Sequence, residues 1–322
     1  MNKKMNAIAM ALALAATAYA QQGQNLQIIA EIRLDKPLRD PSICKGPDGT
    51  YYLTGTVSTR NGPDGKPDFY ENDGIYLWKS ADLKTWTPLG HVFDLKTQEP
   101  NGWGVYRWLR HPQSVPDEYR EERVLGVVAP EIHYGAGTFW LTISMSRQGT
   151  GLLRSPSGKA EGPYELVDVI TVEMGDPSLF FQGDEMWWVF DAGFVGKLVK
   201  TKPRSYTPAN RKETLALEAT PALMQPEAES NGFPLTIGER GAFLVSAGDR
   251  FHLIAAGPPI SAGGTAAGDT FVASADKPEG PYGKRRLLIP GGGQATLFQD
   301  AEGRWLAACM QAEKLVIVEV KL

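Results

Sequence analysis

Asp40 and Asp176 each stand directly before a Pro-Ser pair. The first lies in Arg39-Asp40-Pro41-Ser42-Ile43 and the second in Gly175-Asp176-Pro177-Ser178-Leu179. Each then runs into an apolar strand, a Gly/Asp turn and an aromatic strand. A lone Asp-Pro is ordinarily a turn or the start of a strand. Two copies at equivalent places in a repeat carry more weight, because they aim two carboxylates at one shared centre. A carboxylate beside a reacting group can take or give a proton, and a facing pair can do both. Glu131 follows Ala129-Pro130 in a third such position, with His133 two residues on and therefore on the same strand face. A fourth position reads Gly238-Glu239-Arg240-Gly241 ahead of Ala242-Phe243-Leu244-Val245. A fifth places Gln294 after three glycines.

The elements that must position these residues are strands. Helical periodicity is nearly absent, and short aromatic or β-branched runs alternate with Gly, Pro, Asp and Asn turns. Runs such as Thr50–Val57, Gly74–Ser80, Thr138–Ser146, Met186–Gly193 and Arg250–Gly257 read as strands. Repeats choose among sandwich, barrel and propeller. Ser80, Ser155 and Ser274 end strands that run on into similar tails, and Glu-Gly-Pro-Tyr at 161–164 recurs at 279–282. Their spacing fits a unit of about sixty residues. A weaker tail at 199–215 and a last unit at 291–310 complete the set. The expectation is an all-β, five-bladed β-propeller of four-stranded blades. In this reading "Met-Trp-Trp-Val-Phe" alternates across its strand, so Trp187 and Trp188 face opposite sides. The stretch 93–124 lacks a strand pattern and is rich in Trp, Arg, His and Pro, so it reads as a long insert of the kind that covers a site. Its Trp103, Tyr106, Trp108, Arg110 and His111 together could wall a sugar subsite, since aromatic faces stack on sugars and Arg reads hydroxyls and carboxylates.

Bulk composition narrows the partners. The chain has 322 residues, a net charge of −4, 42% hydrophobic and 22% charged residues, which describes a globular chain rather than a disordered one. Lys284-Arg285-Arg286 is the longest basic cluster and is too short to suggest nucleic acid. Residues 1–20 have a basic start, an Ala-rich apolar centre and a small-x-small end at Ala18-Tyr19-Ala20. They read as a secretory signal peptide, leaving 21–322 as one propeller domain in the periplasm or outside the cell, with no membrane span. Cys44 and Cys309 are read as two separate buried thiols, with a disulfide as the alternative.

Taken in blade order, Arg-Asp-Pro-Ser-Ile, Ala-Pro-Glu and Asp-Pro-Ser-Leu-Phe resemble family 43 of the glycoside hydrolases, and the resemblance spans the whole mature chain. That family is a five-bladed propeller of mostly inverting, exo-acting arabinofuranosidases, xylosidases, arabinanases and galactosidases. The resemblance implies a carbohydrate substrate from plant or algal material. It implies Asp40 as catalytic base and Asp176 as the carboxylate that orients and tunes the acid. It also places Arg39 and Glu131 at the substrate. An inverting glycosidase activates water on one sugar face and protonates the leaving oxygen on the other, with its two carboxyls about 6.5–9.5 Å apart.

Blades four and five depart from the family pattern. The family has Glu-Gly at the fourth blade, with Glu as general acid. Here the apolar strand sets a register that puts Arg240 in the acid position and Glu239 one residue early, on the other strand face unless a bulge restores its aim. Glu239 is the expected acid, with Glu227 and Glu229 as alternatives and Arg240 as a substrate contact. Many members carry a His at the fifth blade, near a calcium or a structured water. Gln294 stands here instead, as an axis-lining contact or a turn residue. An amide binds metal more weakly than imidazole, so no cofactor is expected and calcium is unsupported. These departures keep two other readings open: a non-catalytic carbohydrate-binding propeller, and a related propeller glycosidase with a different acid.

Overall fold

The computed structural model describes residues 26–69, 71–95, 126–145, 149–171, 175–201, 214–221, 236–259 and 268–322. Among them no helix occurs, and twenty strands form five four-stranded antiparallel sheets. The first sheet is β2 (Leu38–Lys45), β3 (Tyr51–Val57), β4 (Gly74–Ser80) and β5 (Thr87–Asp94). The second is β6 (Val127–Gly135), β7 (Thr138–Met145), β8 (Gly149–Arg154) and β9 (Glu165–Thr171). The third is β10 (Ser178–Gln182), β11 (Glu185–Phe190), β12 (Phe194–Thr201) and β13 (Thr214–Pro221), and the fourth is β14 (Arg240–Ala247), β15 (Arg250–Gly257), β16 (Asp269–Ala275) and β17 (Arg286–Ile289). The fifth combines β18 (Thr296–Gln299), β19 (Trp305–Gln311) and β20 (Lys314–Glu319) with β1 (Ile28–Glu31), which pairs antiparallel with β20. The chain is a five-bladed β-propeller, and its ring is closed by the strand that precedes blade one.

Apolar packing holds neighbouring blades face to face. Each hydrophobic cluster among the described residues lies between two successive sheets. Ile75, Leu77 and Phe93 of blade one meet Ile132, Phe139 and Leu141 of blade two. Trp140 and Leu152 of blade two meet Trp188, Phe190 and Leu198 of blade three. Val189 and Val195 meet Leu244 and Leu253 across the next interface. Ile254 and Val272 meet Leu297 and Val318, and Leu306 and Ile317 return to Leu53 and Trp78. The two tryptophans divide as strand alternation requires: Trp188 is fully buried against blade two, while Trp187 packs toward blade four.

One sequence reading changes. Thr87–Asp94 is a strand, so the expected insert from Phe93 begins later, and Phe93 is buried between blades one and two. Cys44 and Cys309 are both free, in different cores, and burial pushes both thiols up to about 12. The signal-peptide stretch 1–20 and the insert residues Trp103, Tyr106, Trp108, Arg110 and His111 lie outside the described residues, as do Glu227 and Glu229. No described helix is long and apolar enough to cross a membrane.

Leu53 has no exposed surface and sits where blade five closes onto blade one. Leu53→Ala should cost about 2–5 kcal/mol, because the surrounding sheets cannot collapse onto the void. A denaturant titration checks this; a loss below about 1 kcal/mol would mean that closure does not depend on this core.

Candidate active site

The same backbone device opens the innermost strand of several blades. Register shifts fall between Arg39 and Ser42, between Val128 and Glu131, and between Arg240 and Phe243. Each bulge contains one residue at positive φ: Asp40 at 51°, Ala129 at 43° and Gly241 at 61°. Asp176 takes the same conformation, at 50°, just before β10. Such conformations cost a non-glycine residue roughly 1–3 kcal/mol and concentrate at functional sites. The bulge turns side chains at the strand start toward the axis, where an ordinary extended strand would alternate them into the cores.

Asp40 and Asp176 therefore line one cavity of about 1300 Å³ together with Arg39, Arg240, Gly293 and Gln294. Below it, a space of about 20 Å³ is bounded by Asp40, Glu131, Asp176, Gln294 and Thr296, large enough for a single water. The two aspartates named from the sequence thus share a central site, and Arg39, Glu131, Arg240 and Gln294 border it.

Each carboxylate is fixed differently. Oδ2 of Asp40 accepts a hydrogen bond from Thr56 Oγ1 at 2.7 Å, and that hydroxyl in turn accepts the Ala129 N–H at 2.8 Å. Arg39 Nε lies 3.3 Å from the same carboxylate oxygen, and its guanidinium sits 5.1 Å above the Phe69 ring. Burial pushes the Asp176 carboxyl up to about 7; the negative charges of Asp40, Asp191 and Glu131 add to this, and Arg240 opposes it. Glu131 is also raised, chiefly by burial, against contacts with His133 and Ser178. His133 Nε2 lies 3.1 Å from Glu131 Oε2 and accepts the Leu179 N–H at 3.3 Å, tying blade two to blade three.

The fourth blade settles which side chain looks inward. Its bulge falls at Gly241; Arg240 and Glu239 are both exposed, and of the two only Arg240 is among the residues that line the cavity. A Cβ on Gly241 would lie 2.5 Å from Gln294 Cγ, so the side chain of Gln294 occupies the space that glycine leaves. The bulge that could have turned Glu239 inward exists one residue too late to do so.

Asp191 is a site residue that sequence reasoning passed over. Its Oδ1 accepts the Gly175 N–H at 2.9 Å, its own N–H donates to Gly175 O, and its carbonyl accepts the Ala242 N–H at 3.1 Å. It locks the start of blade three against blade four and adds negative charge beside Asp176. The signal was its place at the end of β11, which an antiparallel hairpin returns to the start of β10. Lys66 and Phe69, from the Gly/Pro/Asp-rich loop after β3, also reach the cavity. Among the described residues no group of three or more His, Cys, Asp or Glu could hold a metal ion.

Two carboxylates from different blades of a five-bladed propeller line one cavity, an arrangement that can serve hydrolysis of a glycosidic bond. The sequence profile of glycosyl hydrolases family 43 matches residues 34–314, and the chain belongs to that family, an enzyme acting on O-glycosyl bonds. The fold is shared with the family 43 enzyme of Xanthomonas citri complexed with xylotriose, at 13% identity and a TM-score of 0.60 over 95% of this chain and 92% of that one. It is shared too with the endo-arabinase of Bacteroides thetaiotaomicron, at 19% identity and a TM-score of 0.57 over 92% and 98%. No curated protein sequence matches the chain.

The raised Asp176 carboxyl links folding to pH. Its value of about 7 lies above the ordinary 3.8, so the folded state holds this proton more tightly. The resulting stability is full below about pH 4 and is lost as pH rises through 7. Asp176→Asn removes the ionisation. Its stability relative to the native chain should improve by about 2 kcal/mol between pH 5 and pH 8. Urea titrations at the two pH values check this; an unchanged difference would show that Asp176 is already ionised at pH 5.

Proposed function

We propose that this enzyme is an exo-acting, inverting glycosidase of plant or algal glycans in which Asp40 is the base and Asp176 the proton donor. The observation that carries this is the placement of both residues on equivalent positive-φ positions of blades one and three, facing one cavity. Asp40, steadied by Thr56 and flanked by Arg39, takes a proton from the attacking water. Asp176, raised to about 7 and so mostly neutral below that pH, gives its proton to the leaving oxygen as the glycosidic bond breaks. The water's hydroxyl ends on the anomeric carbon, and exchange with solvent returns both groups to their starting states. Glu239 is given no part, because it is not among the residues that line the cavity. The Arg240 guanidinium cannot replace it, since arginine is not deprotonated in proteins.

The resemblance set arabinofuranose, xylose and galactose as the sugars released; one of the two solved structures holds xylotriose and the other is named an endo-arabinase, which supports sugars of that kind. The leader-like residues 1–20 support export to the periplasm or beyond.

Proton NMR of the released sugar tests the stereochemistry: the first anomer formed should be opposite to that of the substrate, and retention would make Asp40 a nucleophile. Asp40→Asn should lower kcat by about 10²–10⁴ for every substrate. Asp176→Asn should do so for alkyl or glycosyl leaving groups and far less for aryl glycosides with acidic phenols, which leave unaided. Glu239→Gln should alter neither. If Glu239→Gln instead reproduces the Asp176→Asn pattern, the acid is Glu239. If no glycoside is turned over, the chain is a carbohydrate-binding propeller.

A further inference from the structure

We propose that Asp191 is a positioning residue for Asp176: it stands in blade three where Thr56 stands in blade one, and the carboxylate found there in place of a hydroxyl keeps a proton on Asp176. This assignment deepens the glycosidase reading and rests on it for the task given to that proton.

Register makes the two residues equivalent. In blade one Ser42 pairs with Thr54 and Arg39 with Thr56. In blade three Ser178 pairs with Val189, and two residues beyond Val189 the Asp191 N–H donates to Gly175 O. Ser42 and Ser178 each follow an aspartate at positive φ by two residues, so Thr56 and Asp191 occupy one place in the repeat. Each also ties its blade to the next. Thr56 does so through its side chain, which accepts the Ala129 N–H at 2.8 Å. Asp191 does so through its carbonyl, which accepts the N–H of Ala242, beside the Gly241 bend, at 3.1 Å. Its side chain serves its own blade: Oδ1 accepts the Gly175 N–H at 2.9 Å, and with the Asp191 N–H this closes a two-bond ring directly before Asp176. The ring holds the left-handed bend that aims Asp176, a conformation an aspartate adopts only when its surroundings impose it.

The two side chains differ in what they can give. Thr56 Oγ1 donates to Asp40 Oδ2 at 2.7 Å, and a donated hydrogen bond favours a carboxylate in its ionised form, as a base requires. An ionised aspartate has no hydrogen to donate, and its charge disfavours a second negative charge nearby. Among the described residues, Asp176 is faced by Asp191 on its own blade and by Asp40 on blade one, with Arg39 beside it. Blade two brings Glu131, with His133 beside it, and blade four brings Arg240. Blade five brings the neutral Gln294. After burial, Asp40 and Asp191 do most to hold the proton, and Arg240 opposes them. Asp40 has the water to activate. Asp191 is not among the residues that line the cavity, so it acts on Asp176 without taking a place that the sugar needs.

The proton on Asp176 can be read without a substrate. In the intact protein, labelled with carbon-13 at its aspartate carboxyls, Asp176→Asn assigns the signal, which is then followed against pH by NMR. In the native chain it should titrate at about 7. Asp191→Asn keeps an oxygen for the Gly175 N–H and removes the charge, so the Asp176 midpoint should fall by at least about 0.5 in pH. Asp191→Thr, which gives blade three the hydroxyl of blade one, should lower it at least as far. The alkaline limb of kcat/KM should follow the midpoint. At about pH 8, Asp191→Asn should therefore lose about threefold or more with alkyl or glycosyl leaving groups, while at about pH 5 it keeps nearly the native rate. A midpoint that stays or rises in Asp191→Asn, or a loss of rate that is equal at every pH, would overturn the proposal and leave Asp191 a purely structural residue. A midpoint that falls while the alkaline limb stays upholds the hold of Asp191 on this proton and removes Asp176 as the donor. A midpoint that stays while Asp176→Asn still spares only aryl glycosides does the reverse.

Discussion

The innermost strands can present chemistry at the axis only because their backbones break register as they begin. A two-residue bulge with one left-handed residue recurs at Asp40, Ala129 and Gly241, and Asp176 repeats the conformation at blade three. The fold fixes where this bend falls, and the residue type found there decides what the axis can do. An aspartate at the bend delivers a carboxylate, as in blades one and three. A glycine delivers nothing itself but lets its predecessor reach inward, which is how blade four contributes a guanidinium. Ala129 is silent, and blade two instead contributes Glu131, two residues further on.

This dependence explains what could be read from the sequence. Asp40 and Asp176 were legible because an Asp-Pro-Ser repeated before two strands exposes the bend itself. The propeller was legible because Ser80, Ser155 and Ser274, each followed by a similar tail, mark the ends of the third strands of three blades. Glu239, expected as the acid, does not line the cavity while its neighbour Arg240 does, a one-residue step that in a strand changes the face a side chain meets. Outer strands were the hardest to see. Thr87–Asp94 contains Pro88, Gly90 and His91, which weaken both propensity and alternation, and it survives because Val92 and Phe93 are packed against blade two. The pairing of β1 with β20 has no local signature, since the partner lies at the opposite end of the chain.

Opposed charges within one cleft divide the work between binding and chemistry. Asp40, Asp176, Asp191 and Glu131 crowd together, and burial keeps a proton on Asp176 that it would surrender in water. Arginines at the start of blades one and four offset part of that negative field.

The way the ring is shut has a consequence for how the protein would yield to force or to proteases. The chain running from β1 into blade one, and the β19–β20 turn beside it, do not merely fasten the propeller; Glu31, Leu38, Ala312 and Lys314 are also part of the cavity wall. A glycan resting there would span the seam, touching the leading segment on one side and blade five on the other. Peeling β1 from β20 would breach the vessel and the binding surface in a single event, so an occupied cleft acts as a clasp across the seam where the ring is shut.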